Sequence, residues 1–220
     1  NTYSGAHCPG AMIRRKGGAM NMNQQGTIGA DNYDGVAKAL HWAVAGLIVL
    51  QFVLAKLAEE SGSEAQELLL LANHRSVGLT IFALAILRLG WRFYRPPPKL
   101  LPMPGWQQIA SQVAHWSLYA LIFLLPITGW LYSSAEAVRI EWFNLFDVPD
   151  LMSANQELAE PIEEIHETLA KVLMAIALLH IAAGLKHGFI DKDATLRRIS
   201  SKASIGLFVL IVILGAVFLF

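Results

Sequence analysis

Five apolar stretches, each long enough to cross or nearly cross a lipid bilayer, constrain the fold of this chain more than any other feature. They cover residues 36–57, 74–94, 112–133, 166–187 and 204–220, and the fifth is the shortest. A helix of about 20 apolar residues spans the hydrocarbon core. Because lipid cannot pair with backbone N–H and C=O groups, such segments cross it as helices. The sequence predicts an all-α integral membrane protein, an antiparallel four-helix bundle with a peripheral fifth C-terminal span.

The parts of the chain outside the bundle differ from it in composition. Residues 1–32 are rich in Gly, Asn, Gln and Met and contain no apolar run of the kind found in signal peptides. We expect a flexible N-terminal extension over 1–32, the membrane bundle over 33–198, and an additional C-terminal transmembrane segment over 199–220. Cys8 is the single cysteine, which excludes an internal disulfide and a cysteine-ligated iron–sulfur cluster.

The charges are distributed unevenly although they sum to zero. Thirteen of the 17 basic residues fall on one side of the predicted spans: Arg14, Arg15, Lys16, Lys38, Arg88, Arg92, Arg95, Lys99, Lys186, Lys192, Arg197, Arg198 and Lys202. Thirteen of the 17 acids fall on the other side, beside the loops around residues 58–67 and 133–165. The positive-inside rule then predicts a multi-pass membrane protein with its N-terminus in the cytoplasm and both acidic loops outside. Lipid is an expected partner and nucleic acid is not.

Three histidines lie on one stripe of the fourth predicted span. His166, His180 and His187 are separated by 14 and 7 residues, and these steps return to nearly the same angle on a helix. The residues between them on the stripe are mostly small: Ala170, Leu173, Ala177 and Gly184. The rise from His166 to His180 is roughly 21 Å, which places one imidazole near each face of a membrane. The stripe indicates axial ligands for two stacked haems.

Histidines on the other spans supply partners at matching depths. Six of the seven histidines lie within or at the edges of spans, where ionisable groups are costly and usually face the bundle interior. A low-spin b haem needs two axial imidazoles at one depth. The outer pair has one solution, His74 with His166, and the inner pair must come from His41, His115, His180 and His187. The alternative is that some of these imidazoles only bond backbone carbonyls between helices.

An ordered set of short motifs connects these histidines. The set consists of His41-Trp42, His74 with Gly78, Arg88-Leu with Arg92, His115 with Tyr119, Pro126-Ile-Thr-Gly129, His166-Glu-Thr-Leu-Ala170 and Leu179-His180. Over about 33–198 it resembles the bacterial di-haem cytochrome b561 family, whose characterised relatives include a membrane superoxide:ubiquinone oxidoreductase. The resemblance implies two b haems, electron transfer and a location in the bacterial cytoplasmic (inner) membrane. It also implies His41 with His180 as the inner pair, and His74 with His166 as the outer pair.

Other residues are expected to contact the haems or a quinone. Gly78 and Gly184 are predicted to lie against haem faces, because a helix-interior glycine costs about 1 kcal/mol relative to alanine. Arg75 and Lys171 flank the outer site and are candidates to neutralise haem propionates. Arg88 and Arg92 either extend to the cytoplasmic headgroups or pair with propionates or a quinone carbonyl. His115 and His187, with Arg88, are expected to bound a quinone pocket on the cytoplasmic side, and otherwise are polar residues of the interface.

Function follows from these ligands. Imidazole at both axial positions leaves no site for oxygen, so electron transfer is favoured and no catalytic side chain is predicted. The first hypothesis is a quinone-linked oxidoreductase that passes electrons between an external one-electron partner and ubiquinone or menaquinone. The external partner is superoxide, or a basic redox protein suited to the acidic outer surface. The second is a haem-carrying membrane subunit of a larger redox complex. A third is a structural or small-ligand membrane protein without haem.

Overall fold

Four long helices form the body of the protein in the computed structural model, which describes residues 32–219. They are α1 (Gly35–Glu59), α2 (Glu64–Tyr94), α3 (Gly105–Ala135) and α4 (Gln156–Phe189). Within the described range, these are the four helices long and apolar enough to cross a membrane. The predicted four-helix membrane bundle is confirmed. The predicted N-terminal extension lies outside the described residues except for residue 32.

The helices begin earlier than the apolar stretches predict. Helices α2, α3 and α4 start at Glu64, Gly105 and Gln156, whereas the apolar runs begin at residues 74, 112 and 166. Polar caps set two of these starts: the Ser63 hydroxyl accepts a hydrogen bond from the Gln66 N–H, and the Asn155 side chain accepts one from the Glu157 N–H. Helical hydrogen bonding does not end where the hydrocarbon does, so the helices continue for two or more polar turns.

Two cores hold the bundle together. The first joins α1 and α2 and contains Val44, Leu54, Ala58, Leu70, Val77 and Ile81. The second joins α2, α3 and α4 and contains Ala85, Tyr119, Leu121, Ile122, Leu125 and Leu173. Helix α1 packs mainly on α2, α2 on α3, and α3 on α4. We call the end of the bundle with the α1–α2 and α3–α4 connections the acidic end, and the opposite end the basic end.

A fifth apolar helix packs on the outside of the bundle. After the short helix α5 (Thr195–Ile199), α6 (Lys202–Leu219) runs along α1. The contact is close: a Cβ on Gly46 would lie 3.2 Å from Ile211 Cγ2, and one on Gly215 would lie 2.5 Å from Leu50 Cδ1. At 18 residues α6 is at the lower limit for a crossing. It is peripheral, as predicted.

The long connection between α3 and α4 contains a β-hairpin, although the sequence predicts no strands. Strands β1 (Ile140–Trp142) and β2 (Phe146–Val148) pair antiparallel, and Phe143 and Asn144 in the turn have positive φ. Hydrogen bonds attach the hairpin to the side of α2. The buried Ser76 hydroxyl accepts from the Phe143 N–H, and its one proton is shared between the carbonyls of Ala72 at 3.0 Å and Glu141 at 3.2 Å. The Trp142 indole N–H donates to the Thr80 hydroxyl at 3.1 Å.

Candidate functional site

His74 on α2 and His166 on α4 face each other toward the acidic end. Their ring centroids are 6.3 Å apart and the ring planes are inclined at 73°. Two imidazoles that share one metal ion through metal–nitrogen bonds of about 2 Å have centroids roughly 6 Å apart. The Nδ1 atom of His74 is buried and has no hydrogen-bond partner among the described residues. This pair therefore has the separation that an axially ligated haem iron requires.

His41 on α1 and His180 on α4 form a second pair toward the basic end. The centroid separation is again 6.3 Å, with the planes inclined at 72°. The buried Nδ1 of His41 also has no partner among the described residues. The equal separations in the two pairs favour ligand pairs over the alternative in which these imidazoles only bond backbone carbonyls between helices. The residues present fit two bis-imidazole sites.

His115 on α3 also approaches His180, but with different geometry. Its ring centroid lies 5.1 Å from that of His180, which is too close for an iron between the two rings. Its Nδ1 atom lies 2.6 Å from the Ser111 carbonyl oxygen one turn earlier on the same helix, so this nitrogen donates there. Of the four histidines considered for the inner pair, His115 is beside the pair and bonded to its own helix.

The stripe on α4 faces the interior along its whole length. His166, Ala170, Leu173, Ala177, His180, Gly184 and His187 are all buried or half-buried, while most residues on the remaining faces of α4 are exposed. Helix α4 packs mainly on α3, and its two paired histidines point across the bundle to α2 and α1. A flat cofactor between α4 and these two helices is compatible with this arrangement.

Two residues that the sequence pattern does not single out as site residues contact His166. The Thr128 hydroxyl lies 3.0 Å from His166 Nδ1. A Cβ on Gly129 would lie 3.1 Å from His166 Cε1. Both belong to the Pro126-Ile-Thr-Gly129 motif. Membership of this motif was the only indication in the sequence that they are near the site, because no spacing rule connects residues 128 and 166.

The two glycines predicted to lie against haem faces differ in their surroundings. A Cβ on Gly78 would lie 3.1 Å from Gln51 Nε2, and the Oε1 atom of Gln51 is buried without a partner among the described residues. A Cβ on Gly184 would meet no atom within 4 Å. There is thus open space beside α4 one turn beyond His180, while Gly78 admits the side chain of Gln51 between α1 and α2.

The two cations predicted near the acidic-end pair differ in exposure and in whether a carboxylate balances their charge. Lys171 is 75% exposed and forms a 3.1 Å salt bridge with Glu167, so its charge is already balanced. Arg75 is half-buried and forms no salt bridge within the described range. Lys56 and Arg139 pair with Glu59, Glu60 and Asp147. Arg75 is therefore the acidic-end cation that remains available to an anion.

Arginines and aromatic residues meet near the basic-end pair. The Arg88 guanidinium lies 5.3 Å from the centroid of the Tyr119 ring, and Arg92 lies 5.6 Å from the Trp116 ring. Arg88 and Arg92 form no salt bridge with any described carboxylate, and cation–π contacts of this kind hold a guanidinium without neutralising it. Arg88 and His115 are thus both in the bundle near His180, as the quinone hypothesis requires.

His187, the third predicted member of the quinone site, is held by carboxylates of the α4–α5 connection. Its Nδ1 atom lies 2.7 Å from Asp193 and 3.2 Å from Asp191. Partial burial raises the pKa of Asp193, but hydrogen bonds from Thr195 and His187 outweigh this, and the net pKa is below its usual value. The structure therefore places His187 in an ion-pair cluster at the basic end, and its hydrogen bonds there are not made to His115 or Arg88.

Similarity to known proteins covers most of the chain. Residues 32–202 match the family described as prokaryotic cytochrome b561. Cytochrome b561 homolog 2 of Escherichia coli is 32% identical over 79% of this chain and 94% of its own length. A Yersinia pestis protein named probable superoxide oxidase CybB is 28% identical over 74% of this chain and 92% of its own length. Cytochrome b562 of Cereibacter sphaeroides is 26% identical over 72% and 89%. With its four apolar helices, the chain therefore belongs to the prokaryotic cytochrome b561 family and is a haem-containing, multi-pass bacterial membrane protein of electron transfer.

Proposed function

We propose that this protein transfers electrons across the membrane through two bis-histidine b haems. The observation that supports this most directly is the repetition of one geometry: both histidine pairs have centroids 6.3 Å apart and nearly equal ring inclinations. The pairs are separated by 14 residues on α4, a rise of roughly 21 Å. His74 and His166 are the proposed ligands of the outer haem, and His41 and His180 those of the inner haem.

The side chains around the pairs determine what such a site can do. When bound, each haem supplies a one-electron iron couple. The paired imidazoles would hold the iron on both sides and would leave no place on it for a substrate, so the group would supply electron transfer. Arg75 is the proposed propionate or anion partner at the outer site, with Lys171 a weaker one because Glu167 balances its charge. At the inner site, Arg88 has this role.

The test is a set of single histidine replacements followed by haem quantification. His166→Ala and His74→Ala should remove the outer haem and leave the inner one, while His180→Ala and His41→Ala should do the reverse. His115→Ala is the matched control, because the His115 ring lies beside His180 but, at 5.1 Å between centroids, leaves no room for an iron between them. Two full haem equivalents in His166→Ala would refute the assignment.

The proposed orientation puts the acidic end outside the cell and the N-terminus in the cytoplasm. It is supported by the charge distribution, since bases that flank spans are retained on the cytoplasmic side. Reporter fusions can test it. A periplasm-active phosphatase joined after residue 151 should be active, and the same enzyme joined after residue 99 should be inactive.

Superoxide is the proposed external electron donor, by analogy with the relative named as a probable superoxide oxidase. An anion needs a cation to guide it, and the half-buried Arg75 without a salt bridge is the candidate at the acidic end. Reduction of the haems by superoxide, measured in purified protein and followed by quinone reduction, tests this proposal.

A quinone, ubiquinone or menaquinone, is the proposed partner on the cytoplasmic side. His115 near the inner pair and the uncompensated Arg88 are groups that can hydrogen-bond a quinone carbonyl, and histidine can pass protons near neutral pH. His187 is proposed to serve at the rim of the same site. A photoreactive quinone analogue should label segments around these residues, whereas adducts within 133–165 would contradict this placement.

A second candidate function is a haem-carrying membrane subunit of a larger redox complex. It is favoured by the acidic end, where 13 acids face four bases, a surface that suits a basic protein partner better than an anion. Purified protein alone distinguishes the two functions. Turnover with superoxide and quinone supports the stand-alone enzyme, and haem reduction only by a protein donor supports the subunit.

A further inference from the structure

Thr128 makes two hydrogen bonds with its side-chain oxygen. It lies 3.0 Å from the Leu125 carbonyl on its own helix and 3.0 Å from His166 Nδ1 on α4. A threonine hydroxyl has one proton to donate and two lone pairs that accept. The carbonyl can only accept, so the hydroxyl proton goes to Leu125.

When the Thr128 oxygen makes both of these hydrogen bonds, the proton count determines which nitrogen of the imidazole carries a proton. Since the Thr128 proton is used on Leu125, the hydroxyl oxygen accepts from His166, and the imidazole proton is on Nδ1. The neutral ring then has its lone pair on Nε2. Nε2 is the nitrogen that must be unprotonated to bind a metal ion, and a second hydrogen bond that orients a ligating histidine is a recurring feature of metal sites.

Gly129 completes the contact from the next position on α3. Any side chain there would press on the ring, because its Cβ would be 3.1 Å from Cε1 and 3.4 Å from Nδ1 of His166. Thr128 therefore holds the ring at one edge, and Gly129 lets helix α3 approach it closely.

We propose that Thr128 is the positioning residue for His166: its hydroxyl fixes the tautomer and rotation of this ligand and lowers the reduction potential of the outer haem. The proposal rests on the proposed function, in that it takes His166 as a haem ligand. A hydrogen bond donated from Nδ1 makes the imidazole a stronger electron donor, which stabilises ferric iron. Gly129 provides the space in which this contact is made.

The other proposed ligands lack this contact, which makes the effect specific to one site. The Nδ1 atoms of His41 and His74 have no partner among the described residues. The inner haem consequently has no ligand with such a bond from Thr128, and changes at Thr128 should leave it as it is.

The experiment is a redox titration of the purified full-length holoprotein with Thr128→Val, which keeps the shape and removes the hydroxyl. We expect the outer haem to titrate at a higher potential and the inner haem to be unchanged. A tenfold loss of preference for ferric iron corresponds to about 59 mV for one electron. The affinity of the outer site for haem should also fall, by about tenfold or more. Thr128→Ser should restore both values, and Gly129→Ala should lower outer-haem retention.

Thr80→Val is the matched control. The Thr80 hydroxyl also donates to a carbonyl of its own helix, at 2.9 Å, and also accepts from a ring N–H, but that ring belongs to Trp142. The Thr80→Val variant should leave the reduction potentials of both haems unchanged.

If Thr128→Val shifts neither potential nor haem retention while His166→Ala removes the outer haem, the positioning role is wrong and the ligand assignment stands. If His166→Ala retains both haems, the proposed function itself fails. A shift of both haems in Thr128→Val would also overturn the proposal, because it would indicate a general disturbance of the bundle.

Discussion

At the scale of single residues, the same imidazole side chain has different neighbours in each part of this protein. His166 bonds a hydroxyl, His115 a carbonyl of its own helix, and His187 two carboxylates. The Nδ1 atoms of His41 and His74 bond nothing in the described range. What an imidazole can do depends on which nitrogen remains free. The distance between ring centroids separates the proposed ligands from His115: it is 6.3 Å in both pairs and 5.1 Å between His115 and His180.

Arg75 and Lys171 should differ when either is neutralised, although both are cations near the outer pair. Arg75→Gln should slow haem reduction by superoxide by roughly an order of magnitude, since it removes the positive charge that attracts an anion. Lys171→Gln should have little effect, because Glu167 already balances that lysine. Stopped-flow reduction of the haems measures both. Equal losses in the two variants would mean that net charge matters rather than the Arg75 position.

Gly78 and Gly184 give a prediction about space beside the proposed haems. Leucine at Gly184 should lower inner-haem content, and leucine at Gly78 should lower outer-haem content, because each side chain would fill room near one pair. Haem-to-protein ratios from absorption spectra measure the effect. Gly90→Leu on α2 is the control, since Gly90 is exposed whereas Gly184 is half-buried. Normal haem content in both variants would assign these glycines to helix packing alone.

The residue scale also shows where prediction from sequence stops. The outer pair could be expected, because 14 residues on a helix and a shared depth are properties of the sequence. For the inner pair, depth left four histidines open, and only the family resemblance selected His41 with His180. Thr128 could not, because its contact with His166 joins positions 38 residues apart on two helices whose relative rotation is a tertiary property. For the same reason, the pairing of His187 with Asp193 depends on the turn after α4 and is absent from any helical periodicity.

At the scale of helices and strands, the apolar runs predict the number and order of the helices well and their ends poorly. Hydropathy marks where lipid contacts a helix, whereas hydrogen bonding and caps such as Ser63 and Asn155 decide where it begins. The hairpin cannot be predicted from an alternation of apolar and polar residues, because its strands are only three residues long. Its position depends on Ser76 and Thr80, which form hydrogen bonds with the hairpin from the side of α2.

The close contact between α1 and α6 leads to a prediction for this peripheral helix. Gly46→Leu should lower the free energy of unfolding in detergent by about 1–3 kcal/mol, because the new side chain overlaps Ile211 and forces the helices apart. Haem content should be unchanged, since α6 contributes neither pair. The control is Gly206→Leu on α6, where a Cβ meets no atom within 4 Å. Unchanged stability in Gly46→Leu would mean that α6 does not depend on this contact.

At the scale of the whole molecule, charge divides the protein into two ends although its net charge is zero. Three of the four bases at the acidic end are paired with neighbouring acids, namely Lys56, Arg139 and Lys171. These pairs are exposed and contribute little stability. They reduce the positive potential that an anion would meet, and they leave a net negative surface for a basic partner.

Ionic strength can therefore distinguish the external partners. Haem reduction by a basic c-type cytochrome should slow as salt is raised from 0.01 to 0.15 M, because the Debye length falls from about 30 to 8 Å. Reduction by superoxide should not slow, because screening weakens the repulsion between this anion and the acidic end. Rates measured at several salt concentrations with each donor provide the comparison. A neutral mediator, with no salt dependence, is the control.

Helix α4 supplies one member of each histidine pair, and this has a consequence for biogenesis. It is the last of the four bundle helices to be synthesised, so neither proposed haem site has both ligands until α4 has entered the membrane. Before that, α1 and α2 can assemble through their own core of Val44, Leu54 and Val77. At that stage His41 and His74 each lack the α4 histidine with which they pair. Haem would then bind late, after α4 has entered the membrane, and would join the preassembled pair α1 and α2 to α4. The two haems would bind at the same stage.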